Sequence, residues 1–103
     1  MLYYTKNINY SIIYLIVGDN MNQEKLNYII GRNIKKYRSI YNNNGIRMTQ
    51  EKLAEYINVS VSHIRSLESN KTKKGISISN LYKISIVLEI PIQKLIEDND
   101  DDK

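Results

Sequence analysis

The sequence predicts a small all-α fold, a compact bundle of five short helices, with a possible short strand near the N-terminus. Three observations predict it. From Asn22 onward, apolar residues recur every three or four positions, the period of a half-buried helix. Asn, Gly, Ser and Thr interrupt that pattern where caps and turns belong. The chain has 103 residues, 42% of them hydrophobic and 25% charged, the size and balance of one globular domain with one core.

The first twenty residues, MLYYTKNINYSIIYLIVGDN, stand apart as an N-terminal extension, rich in Tyr and Ile and nearly uncharged. The apolar run Ile12 to Val17 is far shorter than the ~20 residues a membrane helix needs. A basic start and a small-residue cleavage site, the marks of a secretory signal, are lacking. The β-branched and aromatic residues lean towards strand. Gly18-Asp19-Asn20 breaks the segment from the helical region after it, and Met21 is a second candidate translation start. Three readings stay open: a segment outside the native protein, a strand pairing across a dimer, or a strand or loop covering the domain.

The domain proper spans 21–97. Leu26, Ile30, Ile34, Tyr37 and Tyr41 form the stripe of a first helix, which Asn42-Asn43-Asn44-Gly45 ends. Thr49 is placed to cap a second helix, from Gln50 to about Ile57, with Leu53, Ala54 and Ile57 inward. Asn58 accepts the left-handed conformation and stops it. Ser60 caps a third helix, from Val61 to about Ser69, with Ile64 and Leu67 inward. After the basic stretch Asn70 to Gly75, Ser77 caps a fourth helix carrying Ile78, Leu81, Ile84, Val87 and Leu88. Pro91 opens a short fifth helix with Ile92, Leu95 and Ile96, succeeded by an acidic tail over 98–103.

Charge and composition narrow the function. The chain carries a net charge of +4, but residues 1–96 hold fourteen basic and six acidic side chains. A distinctly cationic body attracts polyanions, nucleic acid first and anionic lipid second. With no cysteine and one histidine, His63, thiol chemistry is excluded and metal or acid–base catalysis has little to work with. The acidic tail has neither the glycine nor the closing glutamate of a calcium loop. The four glycines build no phosphate-binding loop, and no aromatic platform suggests RNA. Neither an enzyme nor a cofactor is expected.

Residues 49–70, TQEKLAEYINVSVSHIRSLESN, carry the main functional signal. Two short helices meet at the tight turn Asn58-Val59-Ser60, with the chain's single alanine, Ala54, where they approach and Val59 plugging the turn. This is the arrangement of a helix-turn-helix, whose second helix enters the major groove of DNA. Thr49, Gln50, Leu53, Ala54, Val59, Ser60, Ile64 and Glu68 match the pattern of the phage-repressor-like helix-turn-helix proteins, the Cro/repressor or Xre type. The resemblance extends over roughly 22–97 and implies a lambda-repressor-like five-helix fold. Asn58, Asn70 and Glu89 stand where that family has glycine, Arg65 stands where it often has serine, and the link through Tyr41–Arg47 is longer than usual.

Particular residues then take on roles. Helical projection puts Ser62, Ser66 and Ser69 opposite the inner face of the third helix and Arg65 at its flank. The resemblance places Val61, Ser62 and Ser66 at base-reading positions, and Arg65 is the side chain able to grip guanine or reach a phosphate. Phosphate contacts are expected from Gln50, which matches a phosphate-binding glutamine of the family, and from Ser60, His63, Lys71 and Lys73. Many family members pair an arginine and a glutamate at the positions of Arg38 and Glu68, which implies a partly buried ion pair fixing the reading helix to the first.

The expected function is a cytoplasmic, sequence-specific DNA-binding transcriptional regulator, a dimeric repressor on an inverted repeat, using no cofactor, metal or membrane. The fifth helix (Ile92, Leu95, Ile96) or the N-terminal segment is expected at the dimer contact. The alternative is an antitoxin that binds a toxin protein and represses its own operon. The Asn, Ile, Lys and Tyr content suggests an AT-rich coding genome, bacterial or phage.

Overall fold

Four side-chain caps set where the longer helices of the computed structural model begin. Asn22 accepts from the Lys25 amide at 2.8 Å and opens α1 (Gln23–Ile40). Thr49 accepts from Lys52 at 3.0 Å ahead of α2 (Gln50–Ile57). Ser60 accepts from His63 at 3.1 Å ahead of α3 (Val61–Glu68), and Ser77 from Asn80 at 3.1 Å ahead of α4 (Ile78–Leu88). Each such cap satisfies an otherwise orphaned amide and contributes about 1 kcal/mol. The short α5 (Gln93–Ile96) comes after Pro91 without a side-chain cap. Among the described residues the fold is a mainly helical bundle of five helices and one small hairpin. The structure describes residues 22–69 and 75–98; the expectations for the N-terminal extension, for Lys71 and Lys73, and for the tail beyond Asp98 lie outside them.

Between α1 and α2 the chain makes a β-hairpin where the apolar spacing suggests a plain link. Strands β1 (Asn42–Asn43) and β2 (Ile46–Arg47) pair antiparallel, Asn42 opposite Arg47 and Asn43 opposite Ile46. The two turn residues, Asn44 and Gly45, have φ of 56° and 83°. Both angles are positive, as a type I′ turn requires, and Asn-Gly is the dipeptide that supplies them at least cost. The longer link is therefore an ordered device.

The core is formed by Ile30 and Ile34 of α1, Leu53, Ala54 and Ile57 of α2, Ile64 and Leu67 of α3, Leu81, Ile84 and Leu88 of α4, and Leu95 of α5, with Met48 beneath the hairpin. α1 packs against α3, α5 and α4, while α2 packs against α3 and α4. Asn33, fully buried on α1, donates to the carbonyls of Leu95 at 3.0 Å and Glu97 at 2.8 Å and so ties the end of α5 to α1. Ile78, expected among the inward positions of α4, is 74% exposed, and Ile96, named for the dimer contact, is 43% exposed. Both occupy helix ends, where a residue at the edge of the inward arc has no neighbouring element to cover it. Conversely, Leu95 is wholly buried within its own domain and offers nothing to a dimer partner.

Two helices end on non-glycine residues in the left-handed region, Asn58 (φ 62°, ψ 51°) and Glu89 (φ 60°, ψ 43°). Asn visits this conformation readily because its side chain can hydrogen-bond locally; Glu has no such advantage. Tyr41, whose hydroxyl lies 3.3 Å from a Glu89 carboxylate oxygen, meets the side chain at that strained turn.

Candidate nucleic-acid interface

The helices α2 and α3 pack against each other across the turn at Asn58-Val59-Ser60. The amides of Asn58 and Val59 both reach back to the Ala54 carbonyl, Val59 at 3.0 Å, which closes the turn tightly. Ile64 and Leu67 point into the core, leaving Ser62, Arg65 and Ser69 exposed and Val61, His63 and Ser66 half-buried. Val61 also packs against the core cluster, so only part of its surface is available to a partner. The reading candidates Ser62, Arg65 and Ser66 thus share the outward side of one two-turn helix.

A buried polar network mounts that helix. Arg38 of α1 donates from Nε to Glu68 Oε2 at 2.7 Å and from Nη2 to Oε1 at 2.9 Å, a bidentate pair whose side chains are 14% and 3% exposed. Its Nη1 donates to the Met48 carbonyl at 3.2 Å. Gln50, the first residue of α2, donates from Nε2 to Glu68 Oε1 at 2.9 Å. One carboxylate therefore joins α1, α2 and α3. Gln50 has a second amide hydrogen, so the bond to Glu68 fixes its side chain at the α2 start without exhausting its donors.

Gly31 is a structural residue that apolar spacing does not single out. A Cβ there would overlap the backbone carbonyl oxygen of Leu67, so α1 and α3 approach as closely as they do only because position 31 is glycine. A glycine inside a helix costs ~1 kcal/mol relative to alanine, and that anomaly is the sequence signal of a close crossing.

The remaining candidates divide. Ser60 spends its oxygen as the α3 cap, and its hydroxyl proton remains able to donate to a phosphate. Arg65 is exposed and donates from Nη2 to Glu51 Oε2 at 3.3 Å, a pairing between α3 and α2 that apolar periodicity gives no reason to expect. The first-turn amides of α2 and α3 and their dipoles add partial positive charge to this side.

Elsewhere, Arg32 pairs with Asp98 at 3.0 Å. Burial opposes its charge, but the hydrogen bond and the charge of Asp98, helped by Tyr28, raise the Arg32 pKa above its ordinary value. A surface cavity of about 270 Å³ lies between the hairpin, α2 and α4, with Tyr41, Ile46, Met48, Tyr56 and Val87 in its lining and no residue of α3. Among the described residues, no three His, Cys, Asp or Glu side chains are grouped to hold a metal ion, and no helix is long and apolar enough to cross a membrane.

Comparison with known proteins agrees with this geometry. The family model described as helix-turn-helix matches residues 46–95, from β2 through α5. No curated protein matches the chain.

Proposed function

The chain belongs to the phage-repressor-like helix-turn-helix family, and from that premise we propose that it is a sequence-specific transcriptional repressor acting as a homodimer on an inverted repeat. DNA binding and transcriptional regulation in general follow from the helix-turn-helix itself. Repression, dimerisation and the residue roles are the proposal. The observation that carries it is the mounting of α3: a two-turn helix with Ser62 and Arg65 outward, held from behind by the Arg38–Glu68–Gln50 network.

In this reading α3 lies in the major groove. Ser62 and Ser66 meet base edges, Val61 meets a thymine methyl with its exposed part, and Arg65 takes guanine. Gln50, Ser60, His63, Lys71 and Lys73 contact phosphates and set the register. A helix of eight residues reads only a few base pairs. Two copies on half-sites about 34 Å apart supply the missing specificity. The protein works in the cytoplasm, where its DNA is.

Selection from a pool of random duplexes, combined with a salt titration, tests this. An enriched inverted repeat, lost by the Ser62→Ala/Ser66→Ala variant, supports it. Weak binding at low salt with no enriched sequence refutes it.

A second reading, an antitoxin that also binds a protein, is favoured by Ile78, Tyr82 and Ile86, exposed along one side of α4 on a helix separate from the reading one. Relief of a neighbouring gene's toxicity by this chain, abolished by Tyr82→Glu, supports that reading; unrelieved toxicity refutes it.

A further inference from the structure

Resting on the proposed reading of DNA by α3, we propose that Glu51 is a specificity-determining positioning residue, which holds the Arg65 guanidinium in the orientation that reads guanine. The Glu51 carboxylate lies against the outward side of α3. It stands in the first turn of α2 and accepts from Arg65 Nη2 at 3.3 Å. The two side chains are 65% and 57% exposed, so the pair contributes little to holding the fold together. A carboxylate in the first turn of a helix also lies favourably with respect to the α2 dipole.

The geometry suits orientation better than blockade. Arg65 carries five N–H donors and spends one on Glu51, leaving both terminal nitrogens with a hydrogen to donate. Bidentate recognition of guanine O6 and N7 needs two such parallel donors. A long arginine side chain otherwise samples many rotamers and gives up that freedom on binding. Tethering the far end to a fixed carboxylate on the neighbouring helix removes much of this loss beforehand. It also places a negative charge where an unselective phosphate contact by Arg65 would form. Glu51 thus favours the arginine–guanine contact and disfavours the arginine–phosphate one.

The test compares selected sequences and salt-dependent affinities for the full-length wild-type chain, Glu51→Ala, Arg65→Ala and Glu55→Ala. Glu55 lies one turn further along α2 and is exposed, so its removal makes the same charge change away from Arg65. The wild type is expected to select a guanine at one position of each half-site, and Arg65→Ala to lose it. Glu51→Ala is expected to lower the preference at that position alone by about tenfold, near the low end of what a bidentate contact gives. It is also expected to bind a mixed-sequence duplex more tightly, with a salt slope steeper by roughly 0.9 as Arg65 turns to a phosphate. Glu55→Ala is expected to keep the guanine preference. Thermal melting checks that all four chains fold.

An unchanged preference in Glu51→Ala overturns the inference while leaving the proposed function standing, as does a preference lost equally at every position. A wild-type chain that selects no sequence overturns both. Should Glu51→Ala not fold, Glu51→Lys gives the same readout. It keeps a long side chain at an exposed position but repels the Arg65 guanidinium instead of holding it, so an undiminished guanine preference there overturns the inference.

Discussion

Arg38→Met removes the counter-charge from a carboxylate that is 3% exposed. Glu68 then keeps its bond from Gln50 Nε2, and the Met48 carbonyl loses its bond from Arg38. Breaking a buried pair on one side costs about 3–5 kcal/mol, because the remaining charge is left desolvated and unpaired. At about 0.05–0.15 kcal/mol per residue, a domain of this size is stabilised by about 4–11 kcal/mol in all. The substitution therefore consumes a large part of the stability or all of it. Urea unfolding monitored by far-UV circular dichroism suits a chain with no tryptophan. With m of ~1 kcal/mol/M, the midpoint of Arg38→Met falls by about 3–5 M or the folded baseline disappears. The paired variant Arg38→Met/Glu68→Leu, which removes both charges and keeps their volume, recovers to within about 1 kcal/mol of wild type. An Arg38→Met protein within about 1 kcal/mol of wild type would show that water reaches Glu68 and refute the reasoning. A paired variant as unstable as the single one would show that the contacts themselves matter, and not the stranded charge.

Three further substitutions have signs that their residue types alone do not suggest. Gly31→Ala adds a better helix former yet lowers stability by about 1–3 kcal/mol in the same urea assay, because its Cβ meets the Leu67 carbonyl. Glu89→Gly raises stability by about 0.5–1 kcal/mol, since glycine relieves the left-handed strain at φ 60° and the lost Tyr41 bond is exposed. Gly45→Ala costs about 1 kcal/mol despite open space around its Cβ, because φ 83° is strained for any L side chain; hydrogen exchange of the hairpin amides locates the loss.

The helices are legible in the sequence because their determinants are local. Asn22, Thr49, Ser60 and Ser77 each cap within three residues of their own position, and the inward residues of α2, α3 and α4 repeat at helical spacing. The hairpin is not, although its Asn44-Gly45 signal stands in the sequence. Strands of two residues show no alternation, and the same dipeptide also terminates helices. Ile78 is misplaced by periodicity because it assigns a face without saying where the neighbouring element stops. Gly31 and Glu51 depend on partners 36 and 14 positions away in sequence, Leu67 and Arg65, and no local pattern encodes such a meeting. The Arg38–Glu68 expectation comes from family resemblance, and its geometry adds what resemblance leaves out, namely Gln50 on the same carboxylate.

That shared carboxylate bears on how the interface works. An eight-residue helix is too short to be stable alone, so the position of α3 is set by what it packs on. Two constraints set it from behind: the glycine crossing at Gly31 fixes its distance from α1, and Glu68 fixes its rotation through Arg38. Because Glu68 Oε1 also receives Gln50, the side chain proposed to grip a phosphate and the helix proposed to read bases are referenced to one atom. Base reading demands placement to within about 0.5 Å, which packing of Ile64 and Leu67 alone, free to slide along apolar surface, does not supply. The charge pair is then retained for orientation more than for stability. Arg38→Met/Glu68→Leu should accordingly stay folded while losing sequence preference across the whole half-site, whereas Glu51→Ala loses it at one position. If the paired variant selects the wild-type sequence undiminished, apolar packing orients α3 by itself and the polar network is only a stability element.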